Sequence, residues 1–329
     1  MSFLQHRTVK GAPYYYLEES FKVGKKWTKE SIYLGNEKPT NDTLLGAFDE
    51  LKQKCEHKKH IVLTPPLTEY ITGITSRKLE EARKEKIHFL KKLTPAQREE
   101  FTHRERIKFI TESNAIEGSS LTYHTTEEVI AQEKRLQKKK NYLITGMGVE
   151  EQEALNLNEC LDRYDKYLQS NTPISEKMIL QQHCILLQKI ERTLKYQGIY
   201  RPVQVYIRGS THECPAPEMV PSLMKKLMEW YHENENLIHP VELAAKFHTQ
   251  FTSIHPFADG NGRLARLFMN YILQQKTYPF TNIPLARRST YMKTQAAANK
   301  NDHKSFTLFL AQEVIKQHTL KTGKRLKSE

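Results

Sequence analysis

Residues 255–266 read HPFADGNGRLAR. This short stretch holds an imidazole, a carboxylate, a glycine-rich turn and two guanidinium groups. Such a set can bind a triphosphate together with a metal ion and can take a proton from a hydroxyl. His255 precedes Pro256, and a residue before proline is biased away from helical geometry. The stretch 241–254 is helix-like, with apolar residues at Ala244, Phe247, Phe251 and Ile254. The pattern therefore predicts a helix that ends just before His255 and leaves its ring on a loop facing a cleft. An unperturbed imidazole titrates at about pH 6.5, so it is largely neutral, and able to accept a proton, at pH 7.

Asp259-Gly260-Asn261-Gly262 is a turn sequence, and its glycines permit close backbone approach. Its N–H groups lead into a new helix, whose exposed N-terminus is an anion site. Along that helix Leu264, Leu267, Phe268, Tyr271 and Ile272 form an apolar stripe. Arg263, Arg266 and Asn270 fall on another side, so the two arginines are expected to point together towards whatever the turn holds. Arginine suits bidentate contact with phosphate. Asp259 offers a hard oxygen ligand of the kind Mg²⁺ takes when substrate phosphates supply the rest.

At every defining position the stretch resembles the signature of the Fic family, HPFx(D/E)GNGRxxR. A chance match to its nine fixed positions in a chain of this size has odds of about one in a billion. Gly198-Ile199-Tyr200-Arg201 is similar to the family's approach to a β-hairpin flap, which places the flap at residues 205–217. His248 and Phe251 also lead into the signature in the family's manner, and His248 reads as a structural histidine. The resemblance spans about residues 173–310. Upstream, Ser113-Asn114-Ala115-Ile116-Glu117-Gly118 fits the family's inhibitory pattern (S/T)xxxE(G/N). Ser113 and Glu117 then share one face of a helix that Gly118 can end.

The resemblance implies AMP transfer from ATP to a Ser, Thr or Tyr hydroxyl of a protein target held at the flap by strand-like pairing. It makes His255 the general base and Asp259 the Mg²⁺ ligand. The N–H groups of Gly260, Asn261 and Gly262 would stabilise charge on the transferred phosphate. Arg263 and Arg266 would hold the β- and γ-phosphates, and Asn270 is a candidate for the nucleoside end. Glu117 would pair with Arg266 and block the productive pose of ATP. Self-modification and an oligomer are both compatible with this reading. The alternatives are a Fic enzyme that removes AMP, or one that transfers another phosphate-containing group such as UMP, phosphate or phosphocholine. From another class comes a nucleic-acid-binding adaptor with a decayed pocket. Every catalytic position is filled, which argues against decay.

These residues need elements to position them. In the first forty residues, Tyr14-Tyr15-Tyr16-Leu17 and Ser31-Ile32-Tyr33-Leu34 are strand-like, with Gly24 as a turn signal between them. A small antiparallel meander is expected there, followed by a short helix over 41–57 and a boundary at Pro65-Pro66. Beyond residue 74 the pattern is mostly helical. Helices are expected over 77–93, from Thr94-Pro95, from Thr125, and over 150–168, 174–189 and 218–231. Gly146 and Gly148 are breaks, and 204–207 is a short strand. The expected class is mainly α: a Fic-type helical bundle with a short β-hairpin flap and the N-terminal β-meander. Its divisions are 1–64 (meander and short helix), 65–172 (helical region with the inhibitory motif), 173–310 (catalytic core) and 311–329 (helix end and basic tail).

The 329 residues carry a net charge of +13, with 38% hydrophobic and 27% charged side chains. The basic clusters Lys58-Lys59, Lys134-Arg135, 138–140 and 321–327 are scattered and lack interleaved aromatics. They read as a solvated surface and a basic tail more readily than as a nucleic-acid interface. No apolar run approaches the ~20 residues of a membrane span, and the N-terminus lacks a signal-peptide layout. Cys55, Cys160, Cys184 and Cys214 lack metal-ligand spacing, so reduced thiols in a cytoplasmic protein are expected. With about ten residues after the last helical pattern, no appended winged helix is expected.

Overall fold

Runs rich in aromatic and β-branched residues build the first structural unit. A computed structural model describes residues 2–9, 11–23, 26–40, 43–44, 46–52, 54–55, 68–137, 148–207 and 209–321. The chain divides into two compact units, Met1–Leu67 and Thr68–Glu329. In the first, β1 (Ser2–Val9), β2 (Ala12–Val23) and β3 (Lys26–Gly35) form an antiparallel meander in the order β1-β2-β3. Side chains alternate between faces along a strand. Leu17 and Phe21 therefore share one face, and they are buried in a cluster with Ala47, Leu51 and Cys55 from the helical residues that follow. Glu18 faces the other way and is paired with Arg7 at 2.7 Å and with Lys29. Gly24, Lys58-Lys59, Pro65-Pro66, the 138–140 cluster, Gly146 and tail residues 322–329 lie outside the described residues.

The second unit is helical. Its α-helices are α1 (Gly73–Lys92), α2 (Pro95–Glu117), α3 (Tyr123–Gln137), α4 (Val149–Gln169), α5 (Glu176–Leu186), α6 (Val220–Asn234), α7 (Pro240–Ile254), α8 (Asn261–Gln275), α9 (Arg288–Ala298) and α10 (His303–Lys321). The ends of α2 follow from local chemistry. Thr94 and Gln97 form a capping box around Pro95, and Gly118 closes the helix at φ 113°. Position 118 thus uses the left-handed region that glycine enters at little cost. α7 and α8 form the central hairpin, with nearly all of their side chains buried. Phe247 lies between Tyr231, Phe251 and Phe268, with ring centroids 5.5, 6.3 and 6.3 Å away. Among the described residues no helix is long and apolar enough to cross a membrane. Cys55, Cys160 and Cys214 are buried and Cys184 is exposed.

The strand expected over 204–207 and the flap hairpin are reduced to one antiparallel bridge, Tyr206–Glu213, among the described residues. The reason is that side chains take the main-chain acceptors at the base of this segment. Arg201 donates to the carbonyls of Val203 (3.1 Å) and Pro215 (2.5 Å), and Gln204 donates to that of Cys214 (2.8 Å). The loop is held in shape without a ladder.

Because Phe247 is fully buried at the centre of the α7–α8 packing, Phe247→Ala should destabilise the helical unit by about 3–5 kcal/mol. Urea unfolding followed by circular dichroism measures it. A loss below about 1 kcal/mol would mean the hairpin is not the core.

Candidate functional site

α7 ends on His255, whose backbone is left-handed (φ 50°, ψ 60°). The chain then turns through Pro256–Gly260 and re-enters helix at Asn261. Gly260 is also left-handed at φ 82°, and a Cβ on it would meet Leu186 Cδ2 at 2.8 Å. Asn261 ties the loop together: its Oδ1 accepts from Phe257 N at 3.0 Å and its Nδ2 donates to Phe257 O at 2.8 Å. Phe257 is wholly buried and stacked on His183, with centroids 3.7 Å apart. His183 is a clamp that the sequence did not signal. Its Nδ1 accepts from Gly198 N at 3.0 Å, so the proton sits on Nε2, which donates to Asp259 O at 3.1 Å. Arg201 clamps the other side. Its Nε donates to His255 O at 2.8 Å and its backbone N–H donates to Pro256 O at 2.9 Å.

His255 Nδ1 lies 3.3 Å from Thr252 O. A carbonyl can only accept, so Nδ1 carries the hydrogen and Nε2 keeps its lone pair. Burial pushes the His255 imidazole down to about 4, so it is neutral at pH 7. It lines a cavity of ≈ 380 Å³ together with Glu117, Gly262, Arg266 and the α9 residues Arg288, Tyr291, Met292 and Gln295.

Arg266 is the charged centre of this cavity. Its side chain is 2% exposed. Nε donates to Ser113 Oγ at 3.0 Å, and Nη2 donates to Ser113 O at 2.8 Å and to Glu117 Oε1 at 2.7 Å. Nη1 reaches Tyr291 Oη at 3.3 Å. That hydroxyl is also 2.9 Å from His248 Nε2, which keeps His248 in the buried structural place expected of it. Burial opposes the charge on Arg266, but Tyr291 and Glu117 outweigh it and hold the guanidinium above its usual range. Glu117 also fills the space beside the turn: a Cβ on Gly262 would collide with its Oε1 and lie 3.0 Å from Arg266 Nη1. Glycine at 262 is what lets this carboxylate in.

Two expectations need correction. Arg263 and Arg266 do not converge. They are buried on different sides of α8, because each meets its own carboxylate partners. Arg263 pairs with Asp259 Oδ1 at 3.2 Å and Glu153 Oε1 at 3.4 Å. Its Nε and Nη1 have no hydrogen-bond partner among the described residues. Asn270 does not face the cavity. Its amide donates to Arg266 O (3.1 Å) and Thr281 O (3.0 Å) and accepts from Thr281 N (2.7 Å), at zero exposure. It pins α8 to the following segment and is buried away from the cavity. The residues that could meet one lie on α9, which periodicity alone does not mark.

Asp259 is 39% exposed on its side chain, and its Oδ1 accepts from Gly260 N (2.6 Å) and Arg263. A single solvent-facing carboxylate beside a glycine turn fits Mg²⁺ held largely by substrate phosphates. Among the described residues there is no cluster of three or more His, Cys, Asp or Glu that would hold a metal unaided.

Residues 173–273 match the model of the Fic/DOC family. Over 204 residues the chain is 33% identical to the protein adenylyltransferase Fic of Drosophila grimshawi, a match covering 61% of this chain and 40% of that protein. To its counterpart in Drosophila melanogaster it is 32% identical, again over 61% of this chain and over 39% of the relative. The match therefore spans about two fifths of the length of these relatives. In structure the chain is similar to a Fic domain containing signaling protein from Bacteroides thetaiotaomicron. The two are 26% identical at a TM-score of 0.61, over 78% of this chain and 99% of the other. A Fic family protein from Desulfovibrio desulfuricans G20 is 25% identical at a TM-score of 0.60, over 80% of this chain and 79% of the other.

Burial pushes His183, His239 and His255 down to about 4 and His248 to about 3. In the unfolded chain each titrates at about 6.5. The native state therefore binds fewer protons between those values, and stability falls as pH drops through that window. Unfolding free energy should lose about 1.4 kcal/mol per pH unit for each such histidine below about pH 6.5. Denaturant titrations at pH 7, 6 and 5 check this, and a flat profile would contradict the buried neutral state.

Proposed function

Residues 173–273 being a Fic/DOC family domain, we propose that the chain is a protein adenylyltransferase restrained by Glu117. The observation that carries this reading is the meeting of His255, Gly262, Arg266 and Glu117 in one cavity. The names of the 33%-identical relatives support the same chemistry.

The target hydroxyl oxygen attacks the α-phosphorus of ATP. The bond from that phosphorus to the bridging oxygen breaks, pyrophosphate leaves, and the hydroxyl proton passes to Nε2 of His255. The imidazole is suited to this because it is neutral at pH 7. General-base action is worth typically ~10²–10⁴ in rate. The rest falls to positioning and to main-chain N–H groups where α8 begins, the Gly260 N–H itself being taken by Asp259 Oδ1. Arg266 receives the outer phosphates, Arg263 holds Asp259 beside the turn, and α9 takes the nucleoside side in place of Asn270. Mg²⁺ on Asp259 would screen the phosphate charges. The target segment adds a strand to the flap at residues 205–217, where Tyr206 and Glu213 already form one antiparallel bridge.

In the resting protein Glu117 and Ser113 occupy the donors of Arg266 that a γ-phosphate would need. A carboxylate and a phosphate compete for the same guanidinium, so the ion pair opposes the productive pose of ATP. Self-modification follows from the same chemistry when a hydroxyl of this chain reaches the flap.

Incubation with ATP labelled at the α- or the γ-position tests the reading. Label should pass to protein from the α-position alone, and γ-label on protein would indicate phosphate transfer instead. His255→Ala should remove transfer by at least about 10²-fold while ATP binding persists. Asp259→Ala should lose the Mg²⁺-dependent activity, and full activity at low Mg²⁺ would remove Asp259 from the ligand role. Glu117→Gly should raise transfer at least roughly tenfold, a relief of ~1.4 kcal/mol. Adding Arg266→Ala should cancel that gain. Unchanged transfer by Glu117→Gly across a range of ATP concentrations would refute the restraint.

A further inference from the structure

A second cavity, of ≈ 280 Å³, lies between α1, α2, α4 and the segment after α8. Gln274 on its wall stands about two helical turns beyond Arg266, so the cavity is away from the phosphate cradle. Its walls are mainly apolar, contributed by Phe89, Leu90, Phe101, Leu161 and Phe280, with Thr102, Glu105 and Asp165 adding polar groups on the side of Arg106. Lys86 lines it as well. The Lys86 ammonium donates to Tyr278 O at 2.7 Å, and no carboxylate among the described residues pairs with it. The other cation on the wall, Arg106, is already matched by Asp162 and Asp165.

An ammonium has three donors, and here one carbonyl meets one of them. A cation withdrawn from water without a counter-charge is under-compensated, and burial accordingly pushes Lys86 down to about 8. Apolar walls with one such cation complement a molecule that is apolar over its body and anionic at one end. The volume lies near the lower end of ligand pockets, which run about 300–1,000 Å³. That suits one ring with a short chain.

We propose that this cavity binds a small apolar monocarboxylate, its hydrocarbon or aromatic body between Phe89, Phe101 and Phe280 and its carboxylate on Lys86. The site shares a helix with the restraint, since α2 supplies both Phe101 here and Ser113 and Glu117 at Arg266. Binding itself does not rest on the transfer chemistry, so it can be tested whether or not that reading holds.

The test is calorimetric titration of the full chain at pH 7 with 3-phenylpropanoate, beside its neutral counterpart 3-phenylpropanol. One acid molecule should bind per chain, at least tenfold more tightly than the alcohol. Lys86→Met keeps the stem volume and should abolish that preference. Leu90→Trp, on a half-buried wall position, should fill the cavity and weaken both ligands at least tenfold. Thermal unfolding of each variant verifies that it is folded, and the acid–alcohol comparison on the unmodified chain stands without either variant. Equal binding of acid and alcohol would overturn the carboxylate assignment. Absence of acid binding at millimolar concentration, or binding untouched by both substitutions, would overturn the site.

Discussion

A guanidinium removed from water must have its donors matched, because an unmatched buried charge costs several kcal/mol. Arg266 imposes this constraint on the helical unit. Its side chain is almost wholly buried, and from its own place on α8 it joins two other helices: Ser113 and Glu117 on α2 and Tyr291 on α9. α2 cannot shift along α8 without leaving donors unmet. Position 262 must also stay without a side chain, since a Cβ would strike Glu117. The packing of the bundle and the proposed restraint on catalysis are thus one set of contacts.

The loop between α7 and α8 is set from two sides. Arg201 takes the carbonyl of His255 and the base of the flap segment, and His183 takes the carbonyl of Asp259 and the N–H of Gly198. Asn261 and Phe257 close it from within. The left-handed backbone at His255 persists because these contacts over-determine it; for a non-glycine residue such a conformation is a source of strain. The same enclosure lowers the basicity of the ring, which keeps it neutral and able to accept a proton at pH 7.

The distribution of charge separates the two cavities. Around Arg266 a cation is met by a carboxylate that a phosphate could displace. Around Lys86 the cation has one carbonyl and mainly apolar surroundings. The first arrangement suits a polyanion that competes with Glu117, and the second suits one negative charge on an apolar body. Both lie against α2.

Local chemistry is legible in residue order. Thr94-Pro95 and Gly118 mark the ends of α2 through a capping box and a left-handed terminus, which involve neighbours in sequence. The strand-like runs in residues 12–35 are enough for the meander, and Pro256 and Gly260 are enough to separate α7 from α8. The helical spacing of Ser113 and Glu117 puts them on one face, and spacing within the signature puts the base, carboxylate and arginines within reach of one turn. Tertiary structure decided what these groups touch. The stripe of α8 could not show that Arg263 and Arg266 would part, since the direction of a long side chain follows its carboxylate partners, Glu153 and Glu117, far away in sequence. Asn270 has the polarity of a binding residue, but the backbones of Arg266 and Thr281 engage its amide out of reach of the cavity. The 204–207 run has strand composition, yet its neighbouring carbonyls went to Arg201 and Gln204. His183, Tyr291 and the Lys86 cavity carry no local pattern because their roles exist only where distant segments pack together, and periodicity records which face is buried, not what it meets.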